Sequence, residues 1–311
     1  MDVALVGVGK IALDQHVPAI MASMDWSLSA TVSRTGKVNG VRTYRDFAQM
    51  LTDRPDIRVV SLCMPPVPRF TYAAAALDAG RHVMLEKPPG ATLSECHMLA
   101  AMAKERGLTL FATWHSREAA MVQAAKTWLA SQTLRDLEVV WKEDVRRWHP
   151  DQDWIWEPGG MGVFDPGINA LSILTEILPV TIHLRAATLE VPEGRQAPIA
   201  ATLDFIHPQG ADVSAVFDWR QEGTQNWSIE ATSTTGRMRL SDGGAKLEIN
   251  GAVVTSNDKD LNGIMGEYPR LYHKMAALIA DGISDVDLAP LRHVADAFMM
   301  GRRIIVAPFI T

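Results

Sequence analysis

The chain has 311 residues, 47% of them hydrophobic and 21% charged, a globular composition long enough for two domains. Thirty basic against 36 acidic side chains leave a formal charge of −6, which argues against nucleic acid or an anionic membrane surface as partner. No stretch without Asp, Glu, Lys or Arg exceeds ten residues, no basic region precedes the N-terminal apolar run, and Cys63 and Cys96 have no CxxC spacing; a membrane span, a signal peptide, a disulfide framework and a zinc site are all disfavoured, no metal is expected, and a reducing cytoplasm fits.

The first 120 residues alternate strand-like and helix-like segments. Short apolar, β-branched runs predict strands over 2–6, 28–33, 59–63, 82–86 and 108–113. Helices are predicted over 71–79, stopped by Gly80, and over 94–106, which follows the capping pattern Thr92-Leu93-Ser94-Glu95 and stops at Gly107. Repeated βα units imply a parallel sheet with helices on both faces. After about residue 121 the texture changes. Strands are predicted over 136–146, 181–191, 197–207, 212–221, 227–232, 236–240 and 246–249, several separated by turn residues, as in an antiparallel sheet. One helix, 165–178, interrupts them, and two more, 268–280 and 290–306, close the chain. The expected architecture is α/β: a Rossmann dinucleotide-binding domain over 1–120, then an α+β domain over 121–311 with a large, mostly antiparallel open sheet.

Gly7-Val8-Gly9-Lys10-Ile11-Ala12 is a GxGxxA turn placed between a predicted strand and a predicted helix, the context a dinucleotide site needs. Gly7 permits the tight turn, and Gly9 lets backbone approach a pyrophosphate seated at the helix N-terminus. Where an NAD enzyme usually carries Asp or Glu at the end of the second strand, this chain has Ser33-Arg34-Thr35. A hydroxyl and a guanidinium bind a 2′-phosphate that a carboxylate repels, so NADP is the expected cofactor, with NAD tolerated.

Glu86-Lys87-Pro88 closes a predicted parallel strand, at the edge where open α/β sheets bind ligands. A residue before proline has a restricted backbone, so the lysine is aimed, although a strand-end lysine by itself reads as surface. Asp165 and Asn169 follow Gly159-Gly160 and share one face at a predicted helix start. An N-cap role for Asp165, with Pro166 at the first helical position, is equally compatible. Nine Trp stand against four Tyr, and Trp141, Trp148, Trp154 and Trp156 crowd the segment before Asp165. Core packing suffices for Trp141 and Trp219. Trp148, Trp154 and Trp156 fit the wall of a sugar pocket better, since polyols need a flat apolar face beside directional polar groups such as Glu143, His149 and Asn169. His16, one turn past the glycines, reads as structural.

Together the GxGxxA turn, Glu86-Lys87-Pro88 and the GG…Asp165-x-x-x-Asn169 pattern resemble the glucose–fructose oxidoreductase/inositol dehydrogenase/rhizopine-catabolism (Gfo/Idh/MocA) family over the whole chain. The runs Leu85–Gly90, Phe111–Ser116 and Trp141–Pro150 are closer still to its bacterial L-arabinose/D-galactose 1-dehydrogenase branch. The resemblance implies an aldopyranose oxidised at its anomeric carbon to a lactone, with hydride passing to the nicotinamide. It implies catalytic Lys87, Asp165 and Asn169, and a sugar site lined by Lys87, His115, Glu143, Trp148, His149, Asp165, Asn169 and Trp227. It implies cofactor contacts from Gly7, Val8, Gly9, Lys10, Ile11, Ser33, Arg34, Thr35, Cys63, Met64, Pro65, Glu86 and Lys87, and a homodimer built through the C-terminal sheet. One departure matters: many members carry His where this chain has Asn169, and Asn takes up no proton at neutral pH. The base is then Lys87, Asp165 or a relayed water, and a coupled Asp165–Lys87 pair is expected, with Asn169 bonding the substrate. The alternatives are a relative acting on another polyol or cyclic ketone, and a non-catalytic dinucleotide-sensing regulator.

Overall fold

The structure, a computed structural model, describes residues 1–150, 152–255 and 266–309. The chain forms two compact units: Met1–His115 with the described part of Leu261–Leu288, and the described part of Ser116–Asp260 with the described part of Ala289–Thr311.

The first unit is a six-stranded parallel sheet of β1 (Asp2–Val6), β2 (Ser27–Val32), β3 (Thr43–Tyr44), β4 (Val59–Leu62), β5 (His82–Leu85) and β6 (Leu110–Ala112), in the order β3-β2-β1-β4-β5-β6. A helical segment begins at Lys10, passes through a π turn over Ala12–His16 and runs into α1 (Val17–Met21). α2 (Phe47–Asp53), α3 (Pro66–Asp78) and α4 (Leu93–Glu105) make the other crossovers. The stop and start signals act as read: Gly80 and Gly107 adopt left-handed φ of 74° and 61°, and the Thr92 hydroxyl accepts the Glu95 N–H at 3.2 Å. Strand β4 is buried on both faces, and a separate core lies against each side of the sheet. β1 and β4 are neighbours while their crossovers run opposite ways, which opens a crevice at their carboxyl ends.

The second unit opens with α5 (Val122–Ala130) and β7 (Leu134–Lys142), followed by the short α6 (Val145–Trp148) and by α7 (Phe164–Ile177). The strand expected to reach residue 146 therefore stops at Lys142, and Asp144 caps α6 by accepting the Arg146 N–H at 3.0 Å. Strands β8 (His183–Pro192), β9 (Ala200–Ile206), β10 (Asp212–Asp218), β11 (Asn226–Ser233), β12 (Arg237–Ser241), β13 (Lys246–Ile249) and β14 (Ala252–Val254) complete most of the sheet.

α8 (Glu267–Asp281) comes next, and the packing places this helix in the first unit, not with the C-terminal half where chain order put it. Its apolar stripe of Tyr268, Leu271, Tyr272, Met275 and Leu278 closes the core formed by Val3, Leu5, Val59 and Met84. The chain then returns to the second unit with α9 (Ala289–Met300) and β15 (Arg302–Val306). A helix running to residue 306 is corrected here. Gly301 breaks it, and the β-branched Ile304-Ile305-Val306 pairs parallel with β8 at the sheet edge. Among the described residues, nine strands run in the order β14-β13-β12-β11-β7-β10-β9-β8-β15, antiparallel except for β7–β10 and β8–β15. Among the described residues, no helix is long and apolar enough to cross a membrane.

Candidate functional site

The glycine turn sits at the carboxyl end of β1. The Gly7 N–H bonds Val32 O at 2.9 Å and the Cys63 N–H bonds Val6 O at 2.8 Å, so the ends of β1, β2 and β4 are tied together. Gly7 has φ of 90°, and a Cβ there would stand 2.7 Å from the Met64 backbone nitrogen. A Cβ on Gly9 would meet nothing within 4 Å, so this backbone faces open space, as an approaching pyrophosphate requires. Gly36 was not singled out from the sequence, yet a Cβ on it would lie 1.9 Å from Val8 O: the loop after β2 packs directly on the glycine turn. Its N–H donates to the Ser33 hydroxyl at 3.0 Å, while Arg34 and Thr35 are exposed. Lys10 pairs with Asp14. The expected cofactor residues Gly7–Ile11, Ser33–Thr35, Cys63–Pro65 and Glu86–Lys87 thus fall at the carboxyl ends of β1, β2, β4 and β5, and the donor set suits a dinucleotide.

Lys87 is held at its backbone. Its N–H donates to the carboxylate of Glu86 at 2.9 Å, and the buried guanidinium of Arg69 on α3 donates to the carbonyls of Glu86, Pro88 and Met64. Glu86 is 3% exposed and its other oxygen accepts from Tyr268 Oη at 2.9 Å and faces His16 Nε2 at 3.0 Å. His16 Nδ1 bonds Tyr272 Oη at 2.8 Å. Burial works to raise the Glu86 carboxyl, but bonding to and the charge of His16, then the charges of His115 and Lys87, hold it down at about 2. Burial works to lower His16, but the Cys63 sulfur, the Tyr272 oxygen and the Glu86 bond hold it well above an ordinary imidazole. Burial and the Glu86 carboxylate push Tyr268 well up, so it stays a phenol and donates. The sequence offered His16 only as structural, and gave no signal for Arg69, Tyr268 or Tyr272, since the group joins residues up to 256 positions apart. His115, expected at the sugar, pairs with Glu267 at 2.6 Å and stacks on Tyr268 within this same unit.

The second unit brings together Glu143, Trp148, His149, Asp165 and Trp227. Glu143 follows β7 and is 5% exposed; it accepts the indole N–H of Trp227 at 2.9 Å and that of Trp219 at 3.3 Å. Burial raises its carboxyl and Asp165 adds to this, against the two indole bonds and the charge of His149. Asp165 is 5% exposed in the first turn of α7, and its carboxylate lies 3.1 Å from His149 Nε2. The capping reading is corrected. Val163 occupies the N-cap without a side-chain bond, Pro166 is third in the helix instead of first, and Asp165 is turned to His149. Asn169 stands one turn further along α7. Trp227 lies between Trp141 and Trp148, with ring centres 6.0 and 5.8 Å away. Trp156 is corrected from pocket wall to core: it is 1% exposed and meets Trp219 edge-on at 5.5 Å. Trp219, assigned to the core, is wholly buried but also orients Glu143.

A parallel sheet with a glycine turn at its carboxyl edge, joined to a second unit carrying a large mixed sheet, defines a dinucleotide-binding oxidoreductase. Residues 1–113 match the family described as "Oxidoreductase family, NAD-binding Rossmann fold" (GFO_IDH_MocA). The chain is 42% identical to galactose 1-dehydrogenase of Pseudomonas fluorescens over 305 residues, 98% of this chain and 97% of that one. The crystal structure of D-galactose-1-dehydrogenase from Rhizobium etli superposes with a TM-score of 0.94 at 54% identity, covering 99% and 97% of the two chains. A 3-ketoreductase from Actinomadura kijaniata, crystallised with NADP and TDP-benzene, shares the fold at a TM-score of 0.83 and 19% identity, over 98% and 99%. The chain belongs to the Gfo/Idh/MocA oxidoreductase family, and it is an oxidoreductase with an NAD(P)-binding Rossmann unit.

Proposed function

We propose that the protein is an NADP-preferring sugar 1-dehydrogenase that oxidises the anomeric carbon of L-arabinose or D-galactose to the lactone. Full-length likeness to two galactose 1-dehydrogenases supports the CH–OH chemistry. The observation that carries the sugar is Glu143, a buried carboxylate near the His149–Asp165 contact that accepts the indole N–H groups of Trp219 and Trp227, the latter packed against the ring of Trp148. Directional acceptors beside flat apolar rings match the hydroxyl edge and C–H face of a pyranose.

When bound, the dinucleotide supplies the hydride acceptor, and Gly7–Ile11, Ser33–Thr35 and Cys63–Pro65 hold it. Lys87 and Asp165 are the proposed acid–base groups for the O1 proton, Asn169 is proposed to bond the substrate, and Glu143, Trp148, His149, Trp227 and His115 are the proposed sugar-ring contacts. A pentose and hexose panel tests this reading. NADP is reduced on adding L-arabinose or D-galactose; no turnover across the panel sinks it. The same panel decides against another polyol or cyclic ketone. A purely regulatory dinucleotide sensor has no use for Lys87 with Asp165.

Arg34 is proposed to bind the 2′-phosphate. A charge-assisted bond contributes roughly 1.5–3 kcal/mol, so Arg34→Ala raises KM for NADP about 10- to 100-fold and leaves that for NAD within a few-fold. Equal changes for both cofactors refute the assignment. We also propose a homodimer through the second sheet, which light scattering reads directly.

A further inference from the structure

Asn169 holds no proton, so the helix face that carries Asp165 supplies no imidazole of its own. The structure brings one to Asp165 from another segment, His149 just after α6, and the hydrogen bonds around that ring fix what it carries. Trp154 Nε1 can only donate, and it donates to Gln152 Oε1 at 3.2 Å. The Gln152 amide therefore presents its oxygen, and the same oxygen lies 3.3 Å from His149 Nδ1, so Nδ1 is the donor there. With Nδ1 protonated, a neutral imidazole has a lone pair on Nε2. That atom nevertheless lies 3.1 Å from Asp165 Oδ2. Two bare acceptors repel at that distance, so the ion-pair contact calls for one proton on the pair, on the imidazolium or on the carboxylic acid.

We propose that His149 and Asp165 form a one-proton store, that this dyad is the terminal acceptor of the sugar O1 proton, and that Gln152 with Trp154 fixes its tautomer. The proposal rests on the sugar-dehydrogenase reading and extends its acid–base pair by one residue. The depleted dyad, neutral imidazole facing carboxylate, has the capacity to take a proton; the filled dyad is the one the 3.1 Å contact favours. In the oxidative direction the O1–H bond breaks and its proton passes to Asp165 and the dyad. The freed pair on O1 becomes the second C1–O1 bond as hydride leaves C1 with its own pair for the bound dinucleotide. Among the described residues, Asp165 from α7 and Glu143 from the end of β7 face the imidazole. Trp219, whose ring centre is 5.3 Å from that of His149, shields the pair on one side. In this proton step His149 acts through Asp165, in addition to the ring contact proposed for it above.

The test has two readings. In the ligand-free protein, nitrogen-15 NMR follows His149 in the wild type and in Asp165→Asn. Loss of the carboxylate is expected to move the imidazole midpoint down by about one unit or more. In turnover, His149→Gln keeps a donor toward Asp165 but cannot store a proton. The acid limb of its kcat profile is expected to shift roughly two units lower, the interval between ordinary imidazole and carboxylate values. Its kcat at neutral pH falls on the order of 10²-fold, the low end of general-base effects. An imidazole midpoint indifferent to Asp165→Asn overturns the dyad, as does an acid limb that stays put while only KM changes. Because the NMR reading needs no substrate, a protein that oxidises no sugar defeats the functional reading separately from the shared proton.

Discussion

Lys87→Ala lowers kcat by roughly 10²- to 10⁴-fold, the range for loss of a positioned proton-transfer group, while the dissociation constant for NADP stays within a few-fold. Two features support the proposed role. It stands two residues past the end of β5 at the carboxyl edge of the parallel sheet, where the ends of β1, β2 and β4 also converge. Its main chain is clamped from two directions, by the Glu86 carboxylate on its own N–H and by Arg69 on the flanking carbonyls. A clamp of that kind restrains the stem of a flexible side chain and so lowers the entropy lost when its amine is placed. The glycine turn follows β1 and Lys87 follows β5, so deleting the amine is expected to leave the proposed pyrophosphate contacts in place. Fluorescence titration with NADP and steady-state kinetics on one sample separate the two effects. A rise in KM with kcat intact makes Lys87 a binding residue and moves the proton work elsewhere.

What could be read in the chain without coordinates follows physical locality. Strands β1, β4 and β5 are short apolar runs whose pattern is complete within a few residues, and Gly80 and Gly107 stop their helices through their own backbone freedom. The candidate site was legible where a motif is contiguous, as in Gly7–Ile11, Glu86-Lys87-Pro88 and the Trp148-His149 segment. It was illegible where the partner is remote. α8 carries a plain amphipathic stripe, but nothing in the stripe says that it packs in the first unit, and so Tyr268 and Tyr272 could not be linked to His16 and Glu86. Asp165 shows the opposite failure. Its surroundings satisfy a local rule, helix capping, and only the approach of His149 reveals that the carboxylate serves something else. At 302–306, β propensity and Gly301 outweighed continuation of the preceding helical pattern, because an open edge of β8 was available for pairing.

Glu86→Ala costs about 3–5 kcal/mol of folding stability, the usual range for removing one member of a buried ion pair. The substitution leaves the wholly buried His16 without its anion, Tyr268 without its acceptor and the Lys87 N–H without the Glu86 carboxylate. The pH dependence supplies the sharper test. Glu86 is depressed from an ordinary 4.5 to about 2, so its contribution is present above about 4.5 and is lost as pH falls towards 2. That interval corresponds to about 3 kcal/mol, in line with the mutational range. His16 is shifted the other way, well above 6.5, so its contribution is complete below 6.5 and is lost as pH rises through its raised value. His16 is held up mainly by the Cys63 sulfur and the Tyr272 oxygen, so only its smaller Glu86 share overlaps the Glu86 contribution, and that share is counted once. Subtracting the stability of Glu86→Ala from that of the wild type by urea titration is therefore expected to give a plateau between about pH 4.5 and 6.5, with a fall on each side. Glu86→Gln retains a carbonyl acceptor for Tyr268 and lies between the two, but it removes the pH dependence as completely as Ala does. A difference curve flat from pH 3 to 9 would mean that His16 is neutral and that Glu86 is held by hydrogen bonds alone. In that case Lys87 is fixed by a dipolar scaffold, with no buried ion pair behind it.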